Sequence, residues 1–348
     1  MAEYYPKTGV CYDHVESSKI YMIYTFGCNA ACDHCLVESN PRKKKKLAPE
    51  TAIELLRVGA EHGKSFLDLS GGEAMLYPDE ILQVVGAARD LGYYVCLNTN
   101  AYWARTPERA RKVLGELKEA GVRAVFPSAS AYHLRYVPLE RVKHLRQACY
   151  DLDVAYELNW VFSDQPETDD LIKREMDLDG ETLYFDSLVT NGNNTETIQR
   201  LEQVYTKRVP DDIDDCFSVH LGVNPHGHVV STCNMTYDNR KFLGTPFFLG
   251  DFRKESFDTI LRREKASPVQ QFLYHNPHPA MHRLLSEDRE FGPYYRETFA
   301  SRSYYSIIDY YLDLFRDERT MSWLDAHLPG VVARAAEARA EAAAASRT

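Results

Sequence analysis

The sequence predicts an α/β fold: an open, partial barrel of six β/α units with a small C-terminal hairpin-plus-helix extension. Three observations predict it. Strand-like and helix-like segments alternate from about residue 19 to 190, prolines open and glycines close the helical segments, and six β/α units in a row call for a parallel sheet covered by helices. Six units fall short of a closed eight-unit ring, so the barrel is TIM-like but partial.

The apolar or β-rich runs are 19–26, 65–70, 93–98, 124–128, 154–162 and 182–189, and the helical patterns between them are 49–61, 78–91, 107–120, 139–150 and 167–176. Pro49 and Pro107 stand in first helical turns, where proline loses no hydrogen bond, and Gly63, Gly92 and Gly121 stand where helices stop. The character changes at 191–262: NGNNTET reads as a loop, DDIDD as an acidic turn, and 219–232 as a hairpin turning at Asn224-Pro225-His226-Gly227. From 263 to 348 the chain is helical and aromatic and ends in an Ala-rich tail. The expected units are therefore a core at 1–190, an extension at 191–262 and a helical segment at 263–348.

The 348 residues carry a formal net charge of -10, which disfavours a nucleic-acid partner. No apolar run of membrane-spanning length occurs, and the first residues lack a signal-peptide pattern, so a cytoplasmic protein without a membrane partner is expected. Of eight cysteines, Cys28, Cys32 and Cys35 fall within eight residues, directly after the first strand. In a reducing compartment such spacing points to metal before disulfides. Three thiolates can hold three irons of a cubane and leave the fourth open to a small molecule. Zinc is the alternative occupant, but no fourth ligand stands at zinc-finger spacing. Cys96 and Cys149 read as buried thiols, and Tyr102 and Trp103 as either cavity-lining or core aromatics.

The stretch Cys28-Asn29-Ala30-Ala31-Cys32-Asp33-His34-Cys35, with Ser70-Gly71-Gly72-Glu73 ending the second strand, resembles the radical S-adenosylmethionine superfamily over residues 19–190. The resemblance implies a [4Fe-4S] cluster on Cys28, Cys32 and Cys35. It implies S-adenosylmethionine as the second cofactor, cleaved to a 5'-deoxyadenosyl radical that abstracts hydrogen. Gly71, Gly72 and Glu73 would then hold the methionyl amino group, the glycines letting backbone approach the ligand. Thr99, in Asn98-Thr99-Asn100 with Ala101 in place of the family's glycine, would contact the methionyl carboxylate. Ser128 would contact the ribose or the methionyl carboxylate and Asn159 the ribose, although Ser130 stands where relatives often carry aspartate; the alternative for Thr99, Ser128 and Asn159 is a strand-end side chain satisfying loop backbone. His34, before the third cysteine, would lie beside the adenine. No catalytic residue acting on the substrate is assigned.

Cys216, Gly227 and Cys233 resemble the opening of a SPASM/Twitch-like extension of the MoaA/SPASM-like branch, but no cysteine follows Cys233. The expectation is a cysteine-poor remnant without metal; His220, His226 and His228 are the residues that would complete a zinc or [2Fe-2S] site instead. Lacking an auxiliary cluster, the enzyme is expected to give a redox-neutral outcome on a peptide or small natural product. With 18 residues before the first strand, a peptide-recognition domain is not expected there. Arg42 to Lys46 reads as a solvated basic loop or a dock for an electron donor such as flavodoxin or ferredoxin. His133 reads as a loop cap or a substrate-facing group. The rival from another class is a non-catalytic iron–sulfur or zinc protein, against which the Gly71-Gly72-Glu73 motif argues.

Overall fold

The computed structural model describes residues 18–161, 163, 165–176, 183–185, 209–210, 220–231, 242–275, 278–304 and 307–330. Five β/α repeats follow in the expected order: β1 (Lys19–Ile23), α1 (Pro49–Glu61), β2 (Phe66–Ser70), α2 (Pro78–Asp90), β3 (Tyr94–Thr99), α3 (Pro107–Ala120), β4 (Val122–Pro127), the one-turn α4 (Ala131–Leu134), α5 (Leu139–Leu152), β5 (Ala155–Tyr156), β6 (Leu158–Trp160) and α6 (Pro166–Met176). Proline occupies the first turns of α1, α2 and α3. Gly63, Gly92 and Gly121 take positive φ values of 83°, 85° and 139°. The fifth strand is split at Glu157, and its second half, β6, pairs in parallel with β7 (Leu183–Phe185).

The expected hairpin is present as β8 (Leu221–Val223) and β9 (His228–Val230), and β10 (Phe248–Asp251) pairs with its outer strand. The hairpin does not stand apart: β8 lies parallel to β1 and covers that strand's otherwise open edge. The main sheet therefore has eight strands, in the order β10-β9-β8-β1-β2-β3-β4-β5. The hairpin turn is set by Asn224, whose Oδ1 accepts from the backbone N–H of His226 (2.9 Å), and by Gly227 at φ 84°.

Side chains alternate across each strand. Ile20, Met22, Leu67, Leu69, Val95, Leu97, Val122, Val125, Leu221 and Val223 meet Leu55, Ile81, Val85, Leu114 and Leu117 of the helices in one apolar core. The alternate residues, including Lys19, Tyr21, Asp68, Ser70 and Asn98, face the concave side. Helix α7 (Phe257–Ala266) joins the outer layer through Phe257, Ile260 and Leu261. It is pinned by the Lys64–Glu264 ion pair, at 2.8 Å with side chains 3% and 5% exposed. The segments Pro268–His275, His278–Glu287, Gly292–Tyr295 and Ile307–Leu314 build a second, aromatic core around Phe272, Tyr295, Phe299, Tyr310, Tyr311 and Phe315, which Leu36 of the cysteine loop also touches. Among the described residues no helix is long and apolar enough to cross a membrane.

Candidate active site at the C-terminal rim of the sheet

The chain leaves β1 at the rim and makes the cysteine loop, which three neighbouring segments hold. The β2 end is the first. Thr25 O accepts from Gly72 N (2.7 Å), and Gly27 O accepts from Glu73 N (2.9 Å). A Cβ on Gly72 would stand 2.1 Å from Gly27 O, and one on Gly71, at φ 149°, 2.7 Å from Thr25 O. The two glycines thus permit the close approach of β2 to the loop's own backbone, not to a ligand alone as the motif suggested.

The β3 end is the second. Asn100 Nδ2 donates to Asn29 Oδ1 (2.9 Å) and lies 3.6 Å from Cys28 Sγ. Ala101, where the resemblance expects glycine, sits at φ 61°. A non-glycine residue there costs about 1–2 kcal/mol, which explains the family's preference. The third is the Ser130–Tyr136 turn: Arg135 pairs with Asp33 (2.6 Å), Tyr136 Oη donates to Ala31 O (2.8 Å), and Tyr132 stacks on His34 (centroids 4.7 Å apart, 25°). His133 meets His34 edge-on, and its Nδ1 shares a 2.8 Å hydrogen bond with Ser130 Oγ, which ties its side chain to the start of this turn.

Cys28 and Cys32 are buried in one patch with Ala30, Tyr132 and Val161, and Cys35 packs against it. Cys28 Sγ accepts from Ala30 N (3.4 Å) and Cys35 Sγ from Ser39 N (3.3 Å). Burial pushes the Cys28 thiol up to about 12, helped by the Glu73 charge, and burial also raises Cys32 and Cys35. Thiols so placed ionise when a cation arrives to balance them. The residues fit an iron–sulfur cubane: one shared patch, soft donors, and N–H groups aimed at two of the three sulfurs. Among the described residues no three ligating side chains converge on a single ion; in a cubane each thiolate takes its own iron.

Glu73 is fully buried and ties the rim together. Its Oε1 accepts from Met75 N (3.1 Å), its Oε2 from Asn100 N (2.8 Å), and Thr99 Oγ1 lies 3.0 Å from both. Burial pushes its pKa up to about 7 in spite of these bonds. Thr99 Oγ1 in turn accepts from Ala101 N (3.1 Å) and Trp103 Nε1 (3.0 Å), which fills its donor and acceptor capacity. Trp103 is therefore a core residue, and Tyr102 Oη donates to Met75 O (2.9 Å). Ser128 and Asn159 face one another in an isolated bridge between β4 and β6. Burial lowers His34 well below its ordinary value, and its Nδ1 is buried without a partner.

Cys216 and Cys233 lie outside the described residues. His226 packs on Phe26 and accepts from Lys45 Nζ (2.6 Å), whereas His220 faces Tyr21. Arg42 and Lys44 are exposed, Lys43 lies over the Phe26 ring, and Lys46 pairs with Glu80 (2.7 Å), so the basic run is partly anchored.

Below the rim, the concave face carries a polar chain that the motif reading missed. Lys19 Nζ pairs with Asp68 Oδ2 (2.7 Å), Asn98 Nδ2 donates to Asp68 Oδ1 (2.5 Å), and Asn159 Nδ2 donates to Asn98 Oδ1 (3.0 Å). Lys19, Asp68, Ser70 and Asn98, polar residues at inward positions of β1, β2 and β3, were the available signal, because a strand buried on both faces reads as continuously apolar. Glu157 stands in the same wall, and burial pushes it up to about 7, with Lys19 pulling it down and Asp68 pushing it up. A carboxylate with a raised folded-state pKa keeps its proton where the unfolded chain has released it, so stability falls as pH rises from about 4.5 through about 7. Discounted for its partial exposure, the effect is about 2 kcal/mol. Denaturant titrations from about pH 5 to 8 should show Glu157→Gln gaining on wild type by that amount; a constant difference would contradict it.

A largely parallel α/β sheet with a three-thiol loop at its C-terminal rim offers the donors and the burial that an iron–sulfur cluster needs. The family model of the Radical SAM superfamily matches residues 22–149, and the chain carries a radical S-adenosylmethionine domain. The family uses a [4Fe-4S] cluster and S-adenosylmethionine. Two curated relatives are the "Putative peptide biosynthesis protein YydG" of Bacillus subtilis (strain 168), 23% identical over 119 residues (34% of this chain, 37% of that protein), and the "Probable GTP 3',8-cyclase" of Sulfurisphaera tokodaii, 31% identical over 99 residues (28% and 29%). The chain thus spans about a third of the length of the curated relatives it matches. The solved structure of hexahistidine-tagged anSMEcpe with bound AdoMet aligns at a TM-score of 0.51 and 12% identity, covering 92% of this chain and 99% of that one, a likeness of fold.

Proposed function

We propose that the chain is a radical S-adenosylmethionine enzyme that carries its cluster on Cys28, Cys32 and Cys35 and acts, in the cytoplasm, on a peptide or small natural product with a redox-neutral outcome. The observation that carries this reading is the shared thiol patch, bonded by Ala30 N and Ser39 N and clamped by β2, β3 and the Ser130–Tyr136 turn. When bound, the cluster supplies an electron and S-adenosylmethionine supplies the radical that removes hydrogen from an unactivated carbon. The chain's residues do the positioning. Gly71, Gly72 and Glu73 form the ledge for the methionyl ammonium, with Thr99 fixing Glu73. Ser128 and Asn159 face the ribose, and His34, wedged against Tyr132, lies on the adenine side. The exposed cations of the 42–46 loop suit an acidic reductant such as flavodoxin or ferredoxin.

One observation favours the rival reading of a non-catalytic cluster protein. Gly71, Gly72 and Glu73 already serve the fold by holding the loop, so a cluster holder has a use for them. Anaerobic reconstitution, reduction and quantification of 5'-deoxyadenosine separates the two. Enzymatic formation supports the proposal; a full cluster with no cleavage under any reductant would support the rival.

A further inference from the structure

We infer that the concave wall around Glu157, Asn98 and Asn159 is the substrate's seat, and that it receives a cationic amine or guanidinium group. This deepens the proposed enzyme reading and rests on it. The register that sets Val125 beside Tyr156 and Ser128 beside Asn159 places Glu157 and Asn159 on the same face, two residues apart. That face also carries Asp68 and Asn98, joined to Asn159 by hydrogen bonds across three strands. Asn98 lies two residues before Asn100, which touches Cys28, so the wall lies about 7 Å along the strand from the cysteine loop. A group held there stands within reach of chemistry at the rim.

The bonding pattern selects the ligand's charge. Asp68 is satisfied on both oxygens, by Lys19 and by Asn98. Lys19 is thereby already engaged. The Glu157 carboxylate has no hydrogen bond or salt bridge among the described residues, although its backbone N–H is bonded to Val125 O (3.2 Å). A half-dry carboxylate without a partner is costly, and a ligand cation with several N–H donors removes that cost. Asn159, on the ribose side, borders the Glu157 carboxylate on the same face. His220, just before β8 and against Tyr21, is kept neutral by burial and by the nearby Lys19 and Lys64 and adds no positive charge. Among the described residues, a phosphate or carboxylate would meet Glu157 and Asp68 with Lys19 already paired to Asp68. The wall therefore disfavours anions.

The test uses anaerobically reconstituted protein with S-adenosylmethionine and two matched probe pairs read by ligand-observed NMR and calorimetry. One pair is glucosamine and N-acetylglucosamine; the other is an N-acetylated, C-amidated Ala-Lys-Ala peptide and its Nε-acetyl-lysine counterpart. The expected result is at least tenfold tighter binding of the cationic member in one pair, and the pair that shows it assigns a sugar-like or a peptide source. Glu157→Gln should abolish the preference and Glu157→Asp should keep much of it. Equal binding of both members of both pairs to wild type, no binding of any, or a preference that survives Glu157→Gln overturns the inference; the wild-type comparison decides alone if a variant does not fold. Iron content and S-adenosylmethionine binding are measured on the same samples. If both are normal and the preference is missing, only the amine seat fails; if no cluster forms, the enzyme reading fails and takes the seat with it.

Discussion

Gly72→Ala is expected to cost the protein its cysteine loop and, with it, most of its iron. The added methyl would stand 2.1 Å from Gly27 O, 2.6 Å from Gly27 C and 2.9 Å from Ser39 Oγ. Two of these are backbone atoms one residue from Cys28, so relief requires moving the loop itself. The movement breaks the bonds from Gly72 N to Thr25 O and from Glu73 N to Gly27 O, in a largely buried region. A loss of about 3 kcal/mol or more follows from overpacking plus the broken bonds. Thermal melts and iron analysis after reconstitution check it. Gly115→Ala in α3 is the control: nothing lies within 4 Å of its new methyl, and replacing a mid-helix glycine should gain about 0.5–1 kcal/mol. A Gly72→Ala protein with wild-type melting and full iron would show that the rim is not stitched as described.

Glu73→Gln is expected to act twice, on stability and on cofactor binding. Each carboxylate oxygen faces one backbone N–H, Met75 on one side and Asn100 on the other, with the Thr99 hydroxyl between. Whichever oxygen becomes an NH2 group, it is set against a buried N–H. The expected cost is about 2–3 kcal/mol. Above about pH 7, where Glu73 is ionised, loss of the negative charge should also weaken S-adenosylmethionine binding roughly ten- to a hundredfold. Removing the group also flattens the pH profile: Glu73 holds its proton up to about pH 7 in the folded state, so it contributes a loss of stability as pH rises from about 4.5 through 7 that the variant lacks. Unchanged melting would contradict the buried bonding, and unchanged affinity would contradict the ledge role.

The repeating part of the fold was legible because each device in it is local. Pro49 and Pro107 open helices, Gly63, Gly92 and Gly121 close them, and alternation of strand and helix defines the parallel sheet. The edge on which the β8–β9 hairpin would pair was not legible, since nothing local in 221–230 encodes β1 as its neighbour. Of the rim, the cysteine spacing and the Gly-Gly-Glu motif could be read, and both lie at one end of the sheet. The saturation of Thr99 could not, because it depends on Trp103 Nε1 folding back onto it. Nor could the clamp by Tyr132, Arg135 and Tyr136, about a hundred positions away from its partners His34, Asp33 and Ala31. The concave wall was readable in part: Asp68 and Asn98 interrupt apolar strands at inward positions, but only the register shows that they join.

Cluster binding by the three thiols is tested by iron and sulfide analysis, with absorption spectroscopy, of anaerobically reconstituted wild type beside the variant with Cys28, Cys32 and Cys35 all changed to Ala. Wild type is expected to carry about four irons and four sulfides per chain, with sulfur-to-iron charge-transfer absorption, and the triple variant neither. Stoichiometric zinc without that absorption in the wild type, or iron retained by the triple variant, would contradict it.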